Sequence, residues 1–312
     1  MTEVWAELQG QMGQRLISGA LMKDYTTFGV GGPARLLARP ETLAELAALL
    51  EICGRQGFRY YVLGGGSNTL FLKDGFDGVV IRLGQSFRAI ESLGDGRLKA
   101  GAAAPVGPLL DLAVDLGLAG LEGLAGIPGT VGGALVMNAG SFGQSVGSTV
   151  TGLSYLDRQG RLVNIPAANL EFSYRRLKGL PEGAVIVAAE FALTPGRKES
   201  LREIISQRLA RRAERHPLGA RSAGSVFKNP AETPAGRIIE ECGFKGARAG
   251  GAVVSEKHAN FIVNQDGLAD GDDIYELILT IIKGVRQLRG LTLEPEIKII
   301  GREGEVANHG QN

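Results

Sequence analysis

Two glycine-dense loops constrain this chain more than any other feature. They are Leu63-Gly64-Gly65-Gly66-Ser67-Asn68-Thr69-Leu70 and, about sixty residues later, Gly126-Ile127-Pro128-Gly129-Thr130-Val131-Gly132-Gly133. The first follows Phe58-Arg59-Tyr60-Tyr61-Val62-Leu63, whose aromatic and β-branched content reads as a strand, so backbone without Cβ atoms emerges directly from a sheet. Successive amides in such a turn form a concave nest for an anion. Two nests separated by a supersecondary unit suit a two-phosphate ligand better than a mononucleotide, which makes a dinucleotide the first candidate. The plainer alternative is a pair of tight turns, because 47 of the 312 residues are glycine. The Gly-x-Gly-x-x-Gly spacing is missing from the first strand–helix junction and Gly-Lys-Ser/Thr occurs nowhere, which argues against a standard nicotinamide-binding domain and a P-loop ATPase.

At 312 residues the chain suits two or three domains, and its hydrophobic content of 44% is ample for their cores. The 34 basic and 33 acidic residues leave a net charge of +1, which gives no broad surface for nucleic acid; an anionic ligand must be held by a local cluster. Cys53 and Cys242 lie far apart in helix-like contexts, as buried free thiols do, and three histidines with no cysteine nearby give no metal site. Residues Met1–Glu7 carry acidic groups where a signal peptide needs positive charge, and no run reaches the roughly 20 apolar residues of a membrane span. A soluble cytoplasmic protein is expected, with a polar, frayed end at Val306–Asn312.

Glu41 to Gly57 reads as a helix, with Thr42 and Glu45 at capping-box spacing and Gly57 placed to end it. Strands are expected at Gly78–Leu83, Leu98–Ala103, Gly152–Leu156, Leu162–Ile165 and Val185–Leu193, and a helix at Pro105–Leu116. The alternation lacks strict βαβ regularity and points to an α+β fold. A helix at Leu201–Arg215 ends at His216-Pro217, and a boundary falls near 214–224. Beyond it come a helix at Pro234–Cys242, strands around Ala252–Val254 and Asn260–Asn264, a helix from Asp272 to about Arg289, and a final strand at Leu293–Ile300.

Four segments concentrate polar chemistry. Ser225-Val226-Phe227-Lys228-Asn229-Pro230 puts hydroxyl, ammonium and amide in one loop, able to protonate a carbanion or bind phosphate, or simply to form a capped turn. In Ser173-Tyr174-Arg175-Arg176, an arginine fork suits a carboxylate or phosphate, against the alternative of a surface arginine. Arg208, Arg211, Arg212 and Arg215 line a helix that either faces an anion or is a solvated face. Period-two alternation sets Glu294, Glu296 and Lys298 on one strand face, and His258 is the histidine amid other polar groups.

Taken in order, these segments resemble the UDP-N-acetylenolpyruvoylglucosamine reductase family, flavoenzymes of bacterial peptidoglycan precursor synthesis. The resemblance runs through Tyr25–Ala34, Leu63–Phe71, Gly126–Gly140, Tyr174-Arg175, Gly224–Pro230, Lys257–Asn264 and Pro295–Gly301. It implies a pair of α+β FAD-binding subdomains of the vanillyl-alcohol-oxidase type, residues 1–87 completed by 291–312 and residues 88–215, plus a C-terminal α+β substrate-binding domain at 216–290. It implies non-covalent FAD held by Gly64, Gly65, Gly66, Ser67, Asn68, Leu70, Gly126, Ile127, Pro128, Gly129, Gly132, Gly133, Asn138 and Gly140. NADPH would reduce the flavin and leave, and hydride would then pass from flavin N5 to C3 of the enol ether.

By the same resemblance Arg175 binds the substrate carboxylate, Glu296 helps stabilise the enol-like intermediate, and Ser225 protonates C2, tuned by Lys228 and Asn229. Tyr174, Lys228, Asn229 and His258 would contact substrate. Glu294 is the rival to Glu296, and the family motif ending in Gly301 fits Glu296 better. The family's arginine is often followed two positions later by serine, where Leu177 stands here. The short stretch between Arg175 and Ser225 resembles the subclass without an extra tyrosine-bearing loop. A monomer acting on small molecules, with no nucleic acid or membrane partner, is expected. The competing readings are a flavoprotein oxidase of the same fold and a flavin-binding module without catalysis.

Overall fold

The computed structural model describes residues 8–10 and 12–306, so the polar tail 307–312 and the residues Met1–Glu7 lie outside the described residues. The chain divides into two compact units. The first holds residues up to Ile17, Leu37–Gly65 and Val80–Arg211; the second holds Ser18–Leu36, Gly66–Val79 and the chain from Arg212. The boundary is crossed within three strands, Leu16–Ser18, Ala34–Ala38 and Phe76–Ile81, within the first glycine loop, and within the helix Lys198–Arg215. Helix α1 is Leu43–Gln56, α2 Val106–Asp115, α3 Val131–Val136, α4 Lys198–Arg215, α5 Ala235–Glu241 and α6 Gly271–Arg289.

The first unit is built on a five-stranded antiparallel sheet in the order Leu162–Pro166, Val150–Leu156, Val185–Ala192, Arg97–Gly101, Ile90–Gly94. Alternate residues of these strands, among them Leu98, Ala100, Leu153, Ala189 and Phe191, share one core with Leu109 and Ala113 of α2 and with Ala134 and Leu135 of α3. Helix α1 begins where Thr42 Oγ1 accepts the Glu45 N–H at 3.1 Å, and it ends at Gly57, whose φ of 68° no side chain favours. At the other half of the expected capping box the Glu45 carboxylate accepts the Glu41 N–H at 2.7 Å and pairs with Arg15 at 2.7 Å. Cys53 lies buried in α1, and burial pushes its thiol pKa up to about 12.

In the second unit α5 and α6 pack their apolar faces, including Ile239, Ile274, Ile278 and Ile281, against Val226, Phe227, Leu293 and Ile297. Helix α6 opens on a full capping box between Asp270 and Asp273 and closes at Gly290 with φ 67°. The final strand differs from the expected Leu293–Ile300. Residue Ile297 is a bend, and only Lys298–Gly301 is strand, running parallel to Thr69–Phe71 with Lys298 opposite Thr69. Residues 294–296 pair elsewhere, through an antiparallel bridge between Pro295 and Phe227. Pro295 has no N–H to offer a ladder, so the chain bends and changes partner there. Among the described residues no helix is long and apolar enough to cross a membrane.

Candidate active site

The two glycine loops touch backbone to backbone inside the first unit. A Cβ on Gly65 would lie 2.8 Å from Gly129 Cα, and one on Gly64 would lie 2.6 Å from Thr130 Oγ1. These glycines are therefore required by loop-on-loop contact, not only by the approach of a ligand. Gly66 has φ 67° and sits against the Tyr25 carbonyl, which excludes any side chain there. The N–H groups of Gly64, Gly65 and Gly66 meet no protein acceptor among the described residues, and neither do those of Gly126, Gly129 and Thr130. Within the first unit the unclaimed amides of Gly64 and Gly65 adjoin those of Gly126, Gly129 and Thr130, the donor set a pyrophosphate needs, so the residues present fit the expected cofactor.

Further along the second loop the amides are already committed. Val131 N–H donates to Ala104 O at 2.8 Å, Gly132 N–H to Ala102 O at 2.8 Å, and Gly133 N–H to Thr130 Oγ1 at 3.4 Å. The N–H groups of Gly132 and Gly133, two residues expected at the cofactor, thus turn inward at the start of α3, a helix the sequence pattern does not show.

Arg175 sits in the two-residue turn of a hairpin, Glu171–Ser173 paired with Arg176–Lys178. Its φ of 55° is unusual for a residue other than glycine and costs of order 1 kcal/mol. Its Nη1 donates to Gly140 O at 3.3 Å, and its guanidinium carbon lies 5.2 Å from the exposed Tyr174 ring. Leu177, where relatives of the resemblance often have serine, pairs with Phe172 and packs on the core. Asn138 also has positive φ, 40°, and is 8% exposed. Its Nδ2 donates to Ser173 O at 2.9 Å and its Oδ1 accepts the Gly147 N–H at 3.0 Å, so this residue, expected at the cofactor, anchors the Arg175 hairpin through its side chain.

Ser225 and Glu296 come together in the second unit. Val226 O accepts the Glu296 N–H at 2.7 Å and Lys228 N–H donates to Glu294 O at 2.9 Å, either side of the Phe227–Pro295 bridge. Asn68 of the first glycine loop joins them, donating Nδ2 to Glu296 O at 3.3 Å and accepting the Lys298 N–H at 2.9 Å. The serine loop is held by Asn260, 2% exposed, whose side chain accepts the Phe227 N–H and donates to the Phe227 carbonyl, both at 2.8 Å. Asn260 falls in the Lys257–Asn264 segment, where its neighbours along the chain give no sign of this role.

The neighbours expected to tune Ser225 are engaged otherwise. Lys228 Nζ pairs with Glu294 Oε2 at 3.0 Å, and Asn229 Oδ1 accepts the Ala235 N–H at 3.0 Å, capping α5. The pairing also separates the two candidate carboxylates, because Glu294 is neutralised at the surface by Lys228. His258, expected at the substrate, is half-buried in an aromatic cluster. Its ring lies 5.3 Å from His216 and 5.0 Å from Phe261, and its Nδ1 accepts the Asn260 N–H at 3.2 Å. Burial lowers its pKa, and lowers that of His216 to about 4 with help from Arg212 and the other histidine.

Residues 33–166 match the model of an FAD-binding domain, and residues 216–300 match that of the UDP-N-acetylenolpyruvoylglucosamine reductase C-terminal domain. A reductase of that name from Syntrophus aciditrophicus is 43% identical over 300 residues, covering 92% of this chain and 94% of the relative. The chain belongs to the UDP-N-acetylenolpyruvoylglucosamine reductase family. A further member, from Clostridioides difficile, is 38% identical over 90% of this chain and 92% of its own. The crystal structure of the Thermus caldophilus reductase superposes with a TM-score of 0.79 at 36% identity, over 90% of this chain and 97% of that one. As a member of this family the protein is an FAD-dependent oxidoreductase, and its expected FAD-binding α+β fold with an added C-terminal domain is the one found.

Proposed function

We propose that this protein uses NADPH to reduce the enolpyruvyl ether of UDP-N-acetylglucosamine to UDP-N-acetylmuramate, as a cytoplasmic monomer serving peptidoglycan synthesis and through it cell shape and division. The observation that carries the reading is the pairing of the Ser225 loop with the Glu296 segment, tied by Asn68 to a glycine loop with unclaimed amides, in a chain of this reductase family. On this reading residues 1–215 with the C-terminal strand hold the flavin and 216–290 hold the substrate. The amides of Gly64 and Gly65 and of Gly126, Gly129 and Thr130 would take the pyrophosphate, and Ser67 and Asn68 offer no histidine or cysteine for a covalent tether.

FAD, when bound, supplies the two-electron carrier chemistry that side chains lack. The residues do the rest. Arg175 holds the substrate carboxylate in a charge-assisted pair, drawing off charge that accumulates at C2. Glu296 helps stabilise the enol-like intermediate. Ser225 delivers the proton to C2 from its Oγ, and its position is set by the backbone clamp of Asn260 on Phe227 rather than by Lys228.

The test is anaerobic single turnover of Ser225→Ala holoprotein. Reduction by NADPH should remain near wild type, while reoxidation by the enolpyruvyl sugar should slow ~10²–10⁴-fold, the range of a lost general acid. Reoxidation within about threefold of wild type, well short of that range, would remove Ser225 from the chemistry.

A further inference from the structure

A half-buried polar relay backs the Arg175 site. Glu122, 5% exposed, accepts the Gly120 N–H with both carboxylate oxygens at 3.1 Å, and its Oε2 also accepts from Gln144 Nε2 at 3.3 Å. Gln144 Oε1 in turn accepts from Arg208 Nη1 of α4 at 2.7 Å. The amide of Gln144 is thus held between a carboxylate and a guanidinium. A flipped amide would set its NH2 against Arg208 and its oxygen against Glu122, so one orientation is enforced and each bond polarises the next.

The relay grips two functional segments at once. Glu122 lies in the turn that leads directly into the Gly126–Gly133 loop, and Ser141 Oγ donates to Gly123 O in that turn at 2.6 Å. Gln144 belongs to the short hairpin Gly140–Ser141 and Gln144–Ser145, the hairpin whose Gly140 carbonyl accepts from Arg175. At the hairpin tip Phe142 is 43% exposed with φ 54°, and Arg208 and Arg211 lie 5.1 and 5.7 Å from its ring. Three non-glycine residues with positive φ, Asn138, Phe142 and Arg175, therefore share this one assembly. Backbone held in such conformations needs surroundings that over-determine it.

We propose that Gln144 is a positioning residue that sets Arg175 against the second glycine loop, with Glu122 and Arg208 fixing its amide. The inference rests on the role given to Arg175 above. Gln144→Leu keeps the bulk and removes both bonds. In the flavin-loaded protein, reduction by NADPH should stay within about twofold, whereas reoxidation by the enolpyruvyl sugar should fall about 10- to 100-fold, as a small misplacement of a catalytic group does. In an Arg175→Lys background the same change should add less than about twofold, because both act through one group. Amide hydrogen exchange of residues 138–147 and 171–178 should quicken at least about tenfold, with α6 unchanged. Should Gln144→Leu not fold, Arg208→Leu, which breaks only the outer bond, replaces it with the same expectations at smaller size. Fully additive losses, equal losses in both half-reactions, or unchanged exchange in the Arg175 hairpin would overturn the proposal. If the wild-type protein is not reoxidised by the enolpyruvyl sugar, the functional reading fails while the exchange measurement still decides the relay.

Discussion

Glycines in one loop are not equivalent, and their surroundings say which can change. Gly65 has the Gly129 backbone where a Cβ would go, so Gly65→Val should force the two loops apart, cost about 1–3 kcal/mol as overpacking does, and release flavin with stability lost at the same time. Gly133 has room, its nearest neighbour being Thr130 Oγ1 at 3.5 Å, and it lies within α3. Gly133→Ala should keep flavin and raise stability by about 0.5–1 kcal/mol. Flavin absorbance and denaturant midpoints measured on both variants separate the cases; flavin loss from Gly133→Ala would mean that the cofactor packs against that residue. The two glutamates divide in the same way. Glu294→Gln removes a surface pair whose side chains are 36% and 63% exposed, worth about 0–1 kcal/mol, and should leave both half-reactions near wild type. Glu296→Gln should slow only reoxidation by substrate, and the opposite ranking in stopped-flow traces would exchange their roles.

At the level of elements, the serine loop owes its shape to one side chain from another segment. Asn260→Ala would leave the N–H and C=O of Phe227 buried without partners, at about 1–3 kcal/mol for each group. Urea unfolding should show a loss in that range, and reoxidation by substrate should slow even where NADPH reduction survives. A stable variant with normal reoxidation would mean that Val226 and Phe227 hold the loop without help. The caps and stops of α1, α2 and α6 follow from residues within a few positions of each end, which is why those helices could be read in advance. The strand at 298–301 could not, because the bend at Ile297 exchanges one partner segment for another far away in sequence.

On the scale of the molecule, acidity should act through the two half-buried histidines His216 and His258. His216 and His258 are held neutral with pKa values below the ordinary 6.5, burial being the larger cause, and Arg212, Arg215, Lys245 and Lys257 oppose their charging while Glu240 favours it at His258. The unfolded chain binds these protons more readily, so their contribution is present above about pH 6.5 and is lost as pH falls toward the His216 value of about 4. Melting temperature should therefore drop across that interval, and His216→Phe should flatten the drop. Parallel curves for variant and wild type would assign the loss to the carboxylates alone.

By itself the sequence determined what is local: the glycine loops, the helix ends, the alternation of the central strands and the motifs that mark the family. Those signals act over a few residues, through φ preferences, capping and the two periodicities of side-chain direction. Tertiary structure decided which groups answer which. Asn68 reaches Glu296 across 228 positions, Lys228 takes Glu294, Asn138 anchors the Arg175 hairpin, and the amides of Gly132 and Gly133 turn inward. A polar side chain can satisfy its hydrogen bonds with many partners, and only the packed core, by fixing which backbone passes within about 3 Å, selects among them.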